Sequence, residues 1–373
     1  MARRAADHRE RPESRQGGGR GLSRPAGALE NGNNFSSGPP RLPSGALPRR
    51  GRPRAALLTA AIAGNPSPPA AAKKAIPMFE PPSPPQFAVP SDGCDCHVHL
   101  FGPFERYPLD GRRLYTPDPA LAADLTAMLD GAGMGRAVLV QPSAYGTDNR
   151  CMLDAMAESP QRLRGVVVID PETAEAGELA RMHALGVRGT RLNLATAGGK
   201  SAAETAELVD RLAARIAPLG WHLQIFVTLE VIAAIAPIVR RSAVDIVFDH
   251  MGMAQAARGM SQEGLSTLLD LLQTGRVWVK LSGTYRVSSD IYGSPQVTAL
   301  ARMLIAANPE RVVWASDWPH IGAHPHHVEG EPPHAEYRKI DYGRLLSGLA
   351  GWADADDIDR ILVRNPAALY GFA

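Results

Sequence analysis

No apolar run in the 373-residue chain reaches the roughly 18–20 residues that a membrane-spanning helix needs. Cysteine is scarce. Cys94, Cys96 and Cys151 are the whole supply, too few for a disulfide framework. Aromatic residues make up only 6%, and charge of one sign is not in excess, the formal net charge being +2. What is present, 45% apolar and 21% charged residues, is an ordinary globular balance that excludes a fibrous or wholly disordered chain. The small net charge hides a division. Residues 1–76 hold 14 Lys/Arg against 4 Asp/Glu, and residues 77–373 hold 26 against 34. A basic leading segment therefore precedes an acidic body, and the chain as a whole is not a basic nucleic-acid binder.

The leading segment differs in texture as well. Residues 1–90 contain 16 of the 32 prolines, with runs such as Gly17-Gly18-Gly19 and Pro81-Pro82-Ser83-Pro84-Pro85. So little apolar surface cannot offset the entropy of ordering the chain, so residues 1–90 read as a disordered Arg/Pro/Gly-rich extension. Three uses compete for it. A solvated tail, or a start placed upstream of a true one near Met78, is favoured. Arg49-Arg50 with Arg52 and Arg54 before the run Ala55–Ala63 has the outline of a twin-arginine export signal, but it lies far from Met1 and the run is short. A basic arm for nucleic acid or acidic lipid lacks aromatic interleaving. The expectation is a cytoplasmic protein without nucleic-acid or membrane partners.

From residue 91 to 373 short β-branched runs alternate with helical patterns, the signature of βα units on a parallel sheet. Eight strands are expected, at 92–100, 136–142, 163–170, 187–194, 221–227, 245–251, 277–283 and 311–317. Between them, Glu204–Leu219, Leu229–Arg241, Gly264–Gln273 and Pro295–Ala306 carry Leu, Ile and Val at three- and four-residue spacing. Eight such units suit an α/β (β/α)8 TIM barrel, typically about 250 residues. A doubly wound open sheet is disfavoured, because no Gly-x-Gly-x-x-Gly follows the first strand.

A barrel of this kind places its chemistry at the C-terminal strand ends. The first strand ends in His97-Val98-His99, whose imidazoles share a face because strand residues two apart project together. The sixth ends in Asp249-His250 and the eighth in Ser316-Asp317-Trp318-Pro319-His320. His-x-His alone is a weak pattern; joined to His250 and Asp317 it is a strong one.

With these residues in place the sequence resembles the amidohydrolase superfamily, in particular its 2-pyrone-4,6-dicarboxylate lactonase branch with related sugar-lactone hydrolases. The likeness rests on Asp95–His99, Val140–Ser143, Gly189–Asn193, Val247–Gly252, Lys280–Gly283, Trp314–His320 and the closing Asn365–Phe372. It implies a hydrolase that opens a carboxylated lactone, a 2-pyrone-4,6-dicarboxylate-like or sugar-acid ring. Asp317 would be the general base, with His97, His99 and His250 polarising the carbonyl and positioning water. Arg191 and Arg286 would take a substrate carboxylate in bidentate fashion, with Ser143, Tyr115 and Asn193 as further contacts.

Two-metal relatives place a lysine or glutamate after strand four and a histidine after strand five. Here those places hold Arg191 and Asn193, and Phe226. The expectation is therefore no required cofactor; one zinc on His97, His99, His250 and Asp317 is the alternative. Phe226 stands where the dicarboxylate enzyme carries a tyrosine, and Lys200 is the candidate to replace a basic group after strand four. The hydroxyl lost at Phe226 weakens recognition of a second carboxylate, so a mono-acid or differently substituted lactone is expected. The loop 318–341, with five histidines, reads as a lid over the mouth or a polar surface loop. A single-zinc decarboxylase and a lactone isomerase remain as alternatives.

Overall fold

The computed structural model describes residues 79–194, 201–325 and 327–373. Lys200, His326 and the proposed functions of residues 1–78 lie outside that set. Eight parallel strands follow the chain in order: β1 (Cys94–Val98), β2 (Arg136–Val140), β3 (Leu163–Val167), β4 (Val187–Asn193), β5 (His222–Phe226), β6 (Ile246–Phe248), β7 (Val277–Leu281) and β8 (Val312–Trp314). Each pairs with its sequence neighbour. The ring closes where Asp317 N–H donates to the His97 carbonyl (3.0 Å) and His99 N–H donates to the Trp318 carbonyl (2.9 Å). Helices α1 (Ala122–Ala132), α2 (Arg150–Glu158), α3 (Ala176–Ala184), α4 (Ala202–Ile216), α5 (Leu229–Arg241), α6 (Leu265–Gln273) and α7 (Pro295–Ala307) fill the crossovers. The expected (β/α)8 barrel is the architecture observed. No described helix is long and apolar enough to cross a membrane.

The helices form where expected because apolar residues recur on one face and their ends are marked. α4 starts at Ser201, whose hydroxyl accepts from Glu204 N–H while Glu204 reaches back to Ser201 N–H. Its Val209, Leu212, Ala213 and Ile216 are buried. Two apolar layers result. Outward strand residues meet the helices, while Cys94, Cys96, Val138, Val247, Trp278 and Val313 fill the barrel, with Tyr370 and Phe372 packed among them.

Three findings depart from simple strand alternation. β1 carries a bulge: Asp95 pairs with Ala137, and Val98, three residues on, pairs with Leu139, only two residues on. Cys94 and Cys96 face inward before the bulge and the two histidines face inward after it. β6 and β8 are shorter than expected, ending at Phe248 and Trp314, ahead of His250 (φ 51°) and Asp317 (φ 65°), which adopt left-handed conformations. Finally, residues 79–90, expected in the unstructured extension, pack on the barrel. Ser83 N–H donates to Asp341 (3.1 Å), Gln86 N–H donates to the Ser347 hydroxyl (3.0 Å), and the Phe79 ring lies 4.8 Å from that of Trp318. The close approach requires Gly343, where a Cβ would sit 1.7 Å from the Ser83 carbonyl oxygen. Proline here fixes an extended path across a surface that supplies partners, so the compositional argument for disorder fails for these residues.

A chain starting at residue 91 should therefore melt below one starting at residue 79, by roughly 2–6 °C for about 1–3 kcal/mol of lost burial. Equal melting temperatures by scanning calorimetry would deny the segment this role.

Candidate active site

The bulge, the two left-handed turns and the barrel closure bring His97, His99, His250 and Asp317 together, all buried. His97 Nε2 lies 3.2 Å from His99 Nε2. Asp317 Oδ1 is 3.5 Å from His99 Nε2 and 3.7 Å from His97 Nε2, and Asp317 Oδ2 is 3.7 Å from His250 Nε2. The expected quartet is thus assembled as one group. His250 needs Gly283 beside it: that residue has φ +61° and a Cβ there would lie 2.8 Å from the imidazole Nδ1.

Each member has a defined support. His99 Nδ1 is 2.7 Å from the Val140 carbonyl, which fixes a proton on that nitrogen and leaves Nε2 as an acceptor. His250 Nδ1 is 2.9 Å from the Ser282 hydroxyl. Asp317 Oδ2 receives the Tyr285 hydroxyl (2.5 Å) and Arg286 Nε (2.8 Å), while its Oδ1 is buried without a hydrogen bond. The Arg286 guanidinium and the imidazoles hold the Asp317 carboxyl well below its ordinary range despite burial. Burial pushes the histidines the other way, His250 and His320 to about 4 and His97 and His99 below the usual value. At neutral pH the site holds ionised Asp317 among neutral imidazoles.

Beneath the histidines lies a charge network that strand-end reasoning missed. Lys280 is fully buried and donates to the Cys96 carbonyl (2.8 Å) and to Gln224 Oε1 (2.7 Å). Gln224 Nε2 then donates to Asp249 Oδ2 (3.1 Å), which also meets Arg191 Nη2 (3.3 Å). Asp249 Oδ1 faces His97 Nδ1 at 3.2 Å. Burial lowers the Lys280 ammonium to about 8. A signal for these residues was available: a charged or amide side chain inside an otherwise apolar parallel strand is buried on either face, and so needs partners. Tyr285, beside Arg286, gave no such signal.

The expected substrate contacts surround this core. Arg191, at the end of β4, is buried and partly committed to Asp249, with Nη1 also 3.4 Å from the Gln141 carbonyl. Arg286 lies on a one-turn helix, Thr284–Val287, after β7. Both guanidinium groups rest over the Phe226 ring, at 5.7 and 5.6 Å from its centre. Tyr115 is buried, and its hydroxyl lies within reach of Ser143 and of the charges of Arg191, Arg286 and Asp317. Asn193 is half-buried at the end of β4. Within the loop 318–341 His324 stacks on Tyr115 with ring centres 4.5 Å apart, and His334 pairs with Asp118 at 3.0 Å.

The donor set also fits one divalent ion. His97 Nε2, His99 Nε2 and Asp317 Oδ1 stand 3.2–3.7 Å apart, and atoms bound at about 2.0–2.2 Å to one zinc lie at roughly that spacing.

The family profile described as amidohydrolase matches residues 94–372. The chain is 32% identical over 291 residues to a 4-sulfomuconolactone hydrolase of Rhizobium radiobacter, covering 78% of this chain and 93% of that protein. It is 32% identical over 307 residues to a 2-pyrone-4,6-dicarboxylate hydrolase of Comamonas testosteroni, with the same two coverages of 78% and 93%. Among solved structures, a putative 2-pyrone-4,6-dicarboxylic acid hydrolase from Pseudomonas putida superposes with a TM-score of 0.62 at 34% identity, covering 76% of this chain and 99% of that one.

The buried histidines give a pH dependence. His222 (lowered to about 3), His250 and His320 resist protonation in the fold but accept protons near pH 6.5 when unfolded. The unfolded state then binds more protons, so stability falls as pH drops from about 6.5 toward 4. Asp95, raised to about 6, opposes this between roughly pH 4 and 6, but it is one group against three. Denaturant midpoints should be lower at pH 5 than at pH 7, and His222→Gln should flatten the difference.

Proposed function

The chain belongs to the amidohydrolase family, and from that premise we propose that it is a lactone hydrolase that opens a carboxylated ring with Asp317 as general base. The observation that carries the reading is the open Asp317 Oδ1 facing two neutral imidazoles beside paired arginines. A water held between Asp317 Oδ1 and His99 Nε2 donates both protons to acceptors and turns a lone pair toward the lactone carbonyl carbon. As its oxygen adds, Asp317 takes one proton; His250 Nε2 and Arg191 stabilise the oxyanion. Collapse breaks the ring C–O bond, and the departing ring oxygen recovers the proton from Asp317. Water and lactone become a hydroxy (or enol) acid, and the base is regenerated.

Arg286 links recognition to this chemistry. Its Nε fixes Asp317, while its Nη atoms take no hydrogen bond among the described residues and are left for a substrate carboxylate. As that carboxylate binds, it draws positive charge from Asp317 and raises the basicity of the carboxyl.

Charge sets the substrate class. Inside the barrel Lys280, Arg191 and Arg286 face Asp249 and Asp317, a net of +1 with neutral imidazoles. A substrate carrying one carboxylate closes that balance. Phe226, which supports both guanidinium groups, adds no donor for a second. We therefore assign a lactone mono-acid in preference to a dicarboxylate.

His97, His99 and Asp317 would hold a zinc ion, which when bound supplies a Lewis acid for the carbonyl and a more acidic water. The water-based steps above do not need it. Ring opening is expected to persist after chelation, followed by product analysis and metal content; its loss would assign the three residues to a catalytic ion.

Asp317→Asn should fold normally and lose turnover by about 10²–10⁴-fold. Arg191→Ala and Arg286→Ala should mainly raise KM, and a lactone methyl ester should lose kcat/KM relative to its acid. An active Asp317→Asn enzyme would remove the base assignment, and an isomerised ring in place of an opened one would remove the hydrolase reading.

A further inference from the structure

Arg286 meets Asp317 one-sidedly. A guanidinium beside a carboxylate commonly forks, with two N–H groups of one edge binding the two oxygens in parallel. Here Nε reaches Oδ2 at 2.8 Å, while Oδ1 accepts no hydrogen bond at all. The second donor on Oδ2 is the Tyr285 hydroxyl, at 2.5 Å. Two donors thus share one oxygen, and its twin stays open.

The backbone makes this sharing possible. Gly283 turns the chain after β7 with φ +61°, and Thr284–Val287 forms a single helical turn. Tyr285 and Arg286 are consecutive there, so their side chains leave the axis about 100° apart and converge on Asp317 from two directions. The tyrosine ring is braced from the loop 318–341. The Arg338 guanidinium lies 5.2 Å from its centre, and the His320 ring meets it edge-on at 6.1 Å. Arg338 N–H donates to the His320 carbonyl at 2.8 Å, which ties the two braces together.

We propose that Tyr285 is a positioning residue whose hydroxyl, by holding Asp317 Oδ2, stops Arg286 from forking across the carboxylate. Oδ1 then stays open for the catalytic water, and the Nη atoms stay open for the substrate carboxylate. With the hydroxyl gone, the guanidinium is free to slide until Nε and an Nη bind both oxygens. One movement would disable two functions, since the base oxygen and the carboxylate donors would be occupied by each other. The inference rests on the function proposed above, in which Oδ1 takes the proton and Arg286 binds the acid group. It gives a task to a side chain that the ring-opening steps leave unused.

The test pairs crystal structures with kinetics of the full-length protein. Tyr285→Phe removes the hydroxyl and keeps the ring; Tyr285→Leu serves if that variant fails to fold. In the variant structure an Arg286 Nη should lie about 3 Å from Asp317 Oδ1. Its kcat on a lactone acid should fall roughly 10–100-fold, the worth of a charge-assisted hydrogen bond, and KM should rise. The methyl ester, which needs no carboxylate donors, should lose kcat alone, so the preference for acid over ester should shrink. General loosening of the site would instead lower acid and ester alike. In the Arg286→Lys background, where no fork can form, Tyr285→Phe should add no comparable loss. A folded Tyr285→Phe enzyme with Oδ1 still open and its acid preference intact would overturn the proposal. Equal fractional losses in the two backgrounds would do the same. If wild type opens no lactone, the proposed function fails, while the variant structure still decides whether the hydroxyl prevents the fork.

Discussion

Two backbone hydrogen bonds, from Asp317 N–H to the His97 carbonyl and from His99 N–H to the Trp318 carbonyl, close the barrel. The residues that make the closure are the ones whose side chains form the site. Joining the first strand to the last therefore sets the distance between the acid and the two imidazoles, and the site cannot loosen without opening the sheet. Asp317 and His250 both adopt left-handed backbone just past the ends of their strands, with their side chains in the site. Such conformations are costly for residues with a Cβ, and they occur here where the surrounding sheet over-determines them.

Below that ring lies a second level of organisation. Lys280, Gln224, Asp249 and Arg191 form one buried chain of polar contacts in which Oε1 of Gln224 accepts and its Nε2 donates. The amide orientation is therefore set by its neighbours on both sides. The network places a carboxylate under His97 and an arginine at the mouth, so binding and catalysis share one electrostatic foundation. Breaking one member would leave a buried charge uncompensated, which costs far more than the loss of a surface pair.

Much of this was legible in the residues. Eight β-branched runs separated by helical periodicity led to the barrel, and histidines and an aspartate at strand ends led to the quartet. Asp317, His250 and Arg191 could be placed because each stands toward the C-terminal end of an expected strand. Three things were not legible. The inward turn of His97 depends on a bulge, and strand alternation counted from Cys96 would have sent His97 to the helices. Tyr285 binds Asp317 across a turn whose direction no local pattern encodes. Residues 79–90 were obscured by composition: proline richness argues against a self-made core, but it says nothing about a segment that borrows one from Trp318 and Asp341.

The bulge in β1 has a consequence for how such sites change over time. The bulge resets the alternation of the strand, so a regular strand through the same residues would turn the imidazoles outward and leave thiols and aliphatic groups in their place. Straightening it, with no substitution at all, would exchange one set of functional groups for another at the same address in the barrel. For chains of this kind, strand irregularity is an inherited chemical variable alongside residue identity.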